Sequence, residues 1–169
     1  MVTVASNNTA GGDCSRPRMR TGHTAIMSRC ADCGAERCDE LFETLLALDH
    51  SRQEPWGPLH GVVAPCYFLQ HSARSADSSW SVYWSMLRAY LAGGTAALDA
   101  MTNQLRALNS HRKGGLGPES VADVPVKSPP LHGFVVTIAE VAVDGTFPAE
   151  GYEDRVREWA EATAAAWRD

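Results

Sequence analysis

The sequence predicts an all-α protein: a single small helical bundle of five or six helices, with a Cys-rich N-terminal knuckle and a long Gly/Pro loop. Three observations carry this. In SSWSVYWSMLRAYLAGG, the residues Trp80, Tyr83, Trp84, Leu87, Tyr90 and Leu91 recur at helical spacing, and Gly93-Gly94 stops the run. Near the C-terminus Tyr152, Val156, Trp159, Thr163 and Trp167 share one helical face in an alanine-rich segment. Between them, no segment alternates convincingly as a strand.

Each element can be justified in chain order. Residues 1–25 are rich in Ser, Asn, Thr, Gly and Arg and poor in large apolar side chains. They bury too little surface to offset ordering, so a mobile N-terminal arm is expected there, with the helical domain spanning 26–169. DELFETLLALDHS then places Leu41, Phe42, Leu45, Leu46 and Leu48 on one helical face. Asp39 and Glu40 suit its positive N-terminal end, and it should stop near His50. QEPWGP reads as a loop. LHGVVAPCYFLQHS is apolar enough for a buried helix that Pro58 could start, although Pro65 removes an interior hydrogen bond. If that helix is continuous, His60, Ala64, Tyr67 and His71 fall on one face.

After Gly93-Gly94, Thr95 can cap a helix whose apolar stripe is Leu98, Met101, Leu105 and Leu108. Residues 113–133, rich in glycine and proline, form a long loop that carries His132. In VVTIAEVAV the Thr137/Glu140 spacing is that of a capping box, which favours a short helix over a strand. PLHGVV and PLHGFVV recur at 58–63 and 130–136 without matching flanks, so no internal repeat is inferred.

The chain of 169 residues is long enough for one domain with its own core, and its 44% hydrophobic and 21% charged residues are ordinary for a globular protein. A net charge of −5 argues against a nucleic-acid partner. No apolar run reaches the length of a membrane span, and the first 25 residues lack the pattern of a secretory signal. A cytoplasmic protein is expected, with no membrane association and a small-molecule or protein partner left unidentified.

Chemistry points to cysteine and histidine. Five cysteines (Cys14, Cys30, Cys33, Cys38 and Cys66) are an odd number, poor material for a disulfide framework. Three of them crowd into CADCGAERC at 30–38. Cys30-Ala-Asp-Cys33-Gly34 is the turn type that brings two thiolates to one tetrahedral ion, with Gly34 letting the backbone fold round it. Cys38 sits just before a helix, where the dipole favours a thiolate. Without a βαβ context a redox CxxC is disfavoured, and buried free thiols are the plainer alternative.

Three thiolates need a fourth donor for a closed zinc site, and His60 or His71 can supply it, with Cys66 behind them. On one continuous helix they would lie about 16 Å apart, so both cannot hold one ion. His60 follows a loop and is the favoured ligand, with His71 as the alternative. His71 would otherwise act as an acid or base beside Gln70 and Tyr67, the three forming a candidate catalytic group. Trp80, Tyr83 and Trp84 read as core or as a cavity wall. Asp39 or Glu40 could support a ligand.

The CxxCG motif, Cys38 with Phe42 and a leucine-rich helix, His60, and YFLQH at 67–71 together resemble the DUF5946 type of small uncharacterised bacterial protein. The resemblance extends through TIAEV at 137–141, VREWA at 156–160 and the final AW at 166–167, and covers about residues 28–168. It implies a recurring set of Cys30, Cys33, Cys38, His60 and His71 but no activity. This chain reads QHS at 70–72 where the family usually has QHP.

Three functions follow from these residues. The first is a zinc protein with a structural Cys3His site. The second is a small zinc-dependent hydrolase or lyase acting on a small molecule. The third is a zinc-stapled protein-interaction module, for which an exposed Trp-rich helix would be needed. No HExxH, HxE…PCxxC or GxSxG motif fixes a reaction class.

Overall fold

In a computed structural model of the chain, residues 29–75, 77–110 and 134–167 are described, without the side chains of 77–78 and 108–110. The expected N-terminal arm, with Cys14 and His23, and the 113–133 loop, with His132, lie outside the described residues, as does His111. The described residues are all-α, with five helices: α1 (Cys38–His50), α2 (Trp56–Gln70), α3 (Asp77–Ser110), α4 (Ile138–Val141) and α5 (Tyr152–Ala166). A 3-10 turn at Ser72–Arg74 follows α2.

α2 is the centre of the bundle. Its 15 residues run through Pro65 without breaking, and Leu59, Val62, Val63, Cys66, Tyr67 and Leu69 are all buried. It is buried nearly all round because α1, α3 and α5 pack on different sides of it. Its approach to α3 is set by Gly61, where an added Cβ would stand 2.8 Å from the Leu98 side chain. Two contacts tie its C-terminal end to α5. Trp167 Nε1 donates to the Leu69 carbonyl at 3.1 Å, and Gln70 Nε2 donates to Thr163 Oγ1 at 2.9 Å.

Sequence spacing anticipates the remaining helices well. α5 buries Tyr152, Val156, Trp159, Thr163 and Trp167, the face read from the sequence. α3 is two helical stretches joined at Gly93 and Gly94, where the backbone leaves helical geometry. Gly94, at φ 66° and ψ −157°, occupies a region essentially restricted to glycine. α4 is a single turn closed by the expected capping box: the Glu140 carboxylate accepts from the Thr137 backbone N–H at 2.7 Å, and Thr137 Oγ1 accepts from the Ala139 N–H at 3.2 Å.

Cross-contacts fix α1 and α2 as an antiparallel hairpin. Near one end, Tyr67 OH donates to Asp39 Oδ1 at 2.5 Å and the Phe42 and Tyr67 rings stack at 3.6 Å. Near the other, His60 Nδ1 meets Asp49 Oδ2 at 3.2 Å. The start of α1 therefore lies beside the end of α2, and that arrangement builds the site. No described helix is long and apolar enough to cross a membrane.

Candidate metal centre

The knuckle before α1 is shaped by backbone bonds. Cys30 N–H donates to Ala35 O, and Gly34 N–H returns to Cys30 O, each at 2.9 Å. Gly34 makes this tight turn at φ 80°, a conformation that costs an L side chain but not glycine. Arg29 and Glu36 pair as an isolated antiparallel bridge across its base. The turn presents Cys30 and Cys33, and Cys38 follows as the first residue of α1.

The hairpin brings His71, at the C-terminal cap of α2, to the same place. One ligand atom from each of Cys30, Cys33, Cys38 and His71 lies within 4.8 Å of the other three, and among the described residues no other Cys, His, Asp or Glu group meets that test. The set is compatible with a metal ion.

The tautomer of His71 sharpens the fit. His71 is fully buried, and its Nδ1 lies 2.8 Å from the Tyr67 carbonyl. A carbonyl only accepts, so Nδ1 carries the proton and Nε2 keeps a free lone pair. That Nε2 is buried and has no hydrogen-bond partner. A buried acceptor is rarely left so, because its lost hydration is not repaid. A metal ion is what a neutral imidazole nitrogen beside three thiols is suited to bind. The backbone carbonyl that fixes the ring is the usual outer partner of a ligating histidine.

The thiols are crowded. Burial, and then the neighbouring Cys30, push Cys33 up to about 11, and burial together with Cys30 and Cys33 raises Cys38 strongly. Burial also works against ionisation of Cys30, yet backbone N–H groups of Cys33 and Asp32 hold that thiol below its ordinary value. Three thiolates in one place repel one another unless a cation joins them.

A polar layer covers the set on one side, built around Arg74 from the turn after α2. Its guanidinium binds Asp39 and donates to Tyr67 OH at 2.9 Å. It lies 3.7 Å from Asp32 Oδ2 and 4.0 Å from Cys30 Sγ. Hydrogen bonds from Arg74 and Tyr67 hold the Asp39 carboxyl down at about 2. Burial and the Asp39 carboxylate keep the Tyr67 phenol protonated. Sequence spacing alone did not single out Arg74.

The other sequence candidates fall elsewhere. The structure places His71 with the cysteines, whereas His60, the favoured fourth ligand, lies at the far end of α2 and pairs with Asp49. The reason is the hairpin: a short α1–α2 turn puts residue 60 opposite 49 and residue 71 near 38. Gln70 is buried, and its amide donates to Val136 O at 2.8 Å as well as to Thr163. Cys66 is buried in the core beside Thr163, and burial raises its thiol strongly. Glu40 pairs with Arg37 at 2.6 Å on the surface. Trp80 and Trp84 are half-buried and pack on Trp167, with centroids 5.8 and 6.4 Å away.

Residues 28–168 match the model of a family of unknown function, DUF5946. The chain belongs to that family. In this DUF5946 protein the matched span contains the whole Cys3His set and every helix around it. No curated protein and no solved structure matches the chain.

Proposed function

We propose that Cys30, Cys33, Cys38 and His71 hold a zinc ion in a closed, structural Cys3His site. The observation that carries this reading is the buried, unpartnered Nε2 of His71, held in the ligating tautomer beside three cysteines. Four donors complete the tetrahedral shell of a structural zinc and leave no position for water. When bound, zinc supplies a charge centre that draws three thiolates and an imidazole together. The chain's own residues do the rest. The knuckle turn aims two sulfurs, the first turn of α1 supplies the third, and the Tyr67 carbonyl orients the ring. Zinc with three thiolates carries one net negative charge, which Arg74 offsets from the covering layer.

Such an ion staples the knuckle to the end of the α1–α2 hairpin. Metal binding then contributes directly to folding, by about 10–16 kcal/mol in small zinc domains.

Three features weigh against the enzyme and adaptor readings. A cavity of about 580 Å³ adjoins the knuckle and includes Cys33, Asp32 and Glu36 in its wall, but neither His71 nor Tyr67 lines it. With His71 as ligand, Gln70 bridging α2 to α5, and Tyr67 engaged by Asp39 and Arg74, the suggested catalytic trio is occupied by structural contacts. The tryptophans of α3 rest on Trp167 instead of standing free as a docking face. The test is metal content. The purified protein should carry one zinc per chain, and Cys33→Ser should lose it. A folded Cys33→Ser protein with full zinc would overturn the reading.

A further inference from the structure

At the opposite end of the α1–α2 hairpin stands a second group of potential ligands that the Cys3His site does not use. Asp49 and His50 close α1, and His60 lies in the first turns of α2. The Asp49 side chain is fully buried while that of His60 is 45% exposed, and the two meet at 3.2 Å. The His50 ring, exposed, lies 5.3 Å from the His60 ring, centroid to centroid.

We infer that His50 and His60 form a second, open site for a divalent transition metal ion, with Asp49 as the carboxylate that positions His60. The contact is the one that recurs behind metal-bound histidines, where one ring N–H is given to a carboxylate so that the other nitrogen faces the ion. Here Nδ1–H of His60 donates to Asp49 Oδ2, which leaves Nε2 as the free lone pair of a half-exposed ring. His50 is at the C-terminal end of α1, where the negative helix dipole favours a cation.

Two nitrogens sharing a tetrahedral ion stand about 3.3 Å apart at zinc–nitrogen distances of about 2.0–2.1 Å. The ring centroids now stand 5.3 Å apart, and the exposed His50 side chain is the one with room to turn toward that spacing. The turn at Ser51 and Arg52 closes the end of α1 onto the Leu48 and Asp49 carbonyls, and the Asp49–His60 contact holds that end beside α2.

Asp49 supplies an independent reason for a cation here. Its second oxygen, Oδ1, is buried and has no partner. A cation held by the two imidazoles stabilises a buried carboxylate whose second oxygen has no partner of its own. Two protein nitrogens leave the rest of the shell to water or to a ligand, so this site differs in kind from the closed Cys3His set.

The test is equilibrium dialysis of untagged, zinc-loaded protein against micromolar free Zn2+ at neutral pH. The expected result is a second zinc per chain beyond the tightly held one. It should vanish in His50→Ala and in His60→Ala, and weaken about 10- to 100-fold in Asp49→Asn. Thermal melts of the histidine variants without added zinc separate ligand loss from misfolding. Since His50 is exposed, His50→Ala should melt like wild type. If wild type takes up no second zinc, or if His50→Ala and His60→Ala both retain it, the inference is overturned. The tightly bound zinc is counted separately in the same experiment, so the Cys3His reading stands or falls on its own.

Discussion

Replacing His71 with leucine tests the ligand role and the packing role of that side chain separately. Leucine is close to histidine in volume, so packing against the Tyr67 ring, now stacked at 4.1 Å, is largely kept. The Tyr67 carbonyl does not lose its only donor, because the His71 backbone N–H also reaches it at 3.0 Å and leucine retains that group. What disappears is the buried Nε2. Without metal that atom is an unpaired acceptor costing about 1–3 kcal/mol, so the metal-free variant should match or exceed metal-free wild type. With zinc the order should reverse. If about 10–16 kcal/mol of binding is shared over four ligands, losing one costs about 3 kcal/mol. That is a loss of about 100-fold in zinc affinity. It is also a drop of about 6–12 °C in Tm for a chain of this size. The assay is competitive zinc titration together with melts at saturating zinc and in chelator. Wild-type zinc affinity in the variant, or an equal loss of stability with and without metal, would refute the assignment of His71.

Other outcomes follow from individual contacts. Gln70→Ala removes one buried and one part-buried hydrogen bond, so urea unfolding should show a loss of about 2–4 kcal/mol, with zinc content unchanged. Arg74→Ala should keep one zinc per chain but bind it about 10- to 100-fold more weakly in the same competition assay. Gly94→Ala places a side chain where only glycine is at ease, and should cost about 1–3 kcal/mol although nothing lies within 4 Å of the new Cβ. Asp49 raises the pKa of His60 above its ordinary 6.5, so the stability this pair adds is complete below pH 6.5 and is lost as pH rises through the folded value. Melts across that range in zinc-free buffer should therefore show a slope that His60→Ala removes.

The helices were legible because their apolar spacing is regular. The face of α5 and the break at Gly93-Gly94 could be read directly, and so could the box at Thr137, whose two partners are three residues apart. Pro65 was the ambiguous signal. It sits inside a helix that stays continuous because three other helices pack on it, and tertiary burial outweighs one missing hydrogen bond. The three cysteines were legible from spacing alone, since Cys30, Cys33 and Cys38 are close in sequence.

The fourth member was harder, because it depends on which end of α2 meets the knuckle. The helical rise separated His60 from His71, but the loop before His60 tipped the reading toward the histidine that lies away from the cysteines. The choice was nevertheless latent in the loop length. A short connection after His50 forces an antiparallel hairpin, which sets residue 71 beside residue 38 and residue 60 beside Asp49. Arg74 could not be found this way. It lies in an irregular turn, and its partners Asp32, Asp39 and Tyr67 come from three different parts of the chain.

The most direct measurement of the central claim is zinc K-edge X-ray absorption on the purified protein. A closed Cys3His site predicts one zinc per chain with three sulfurs at about 2.3 Å and one nitrogen at about 2.0–2.1 Å. Absence of stoichiometric zinc, or a shell with fewer sulfurs completed by water oxygen, would contradict it.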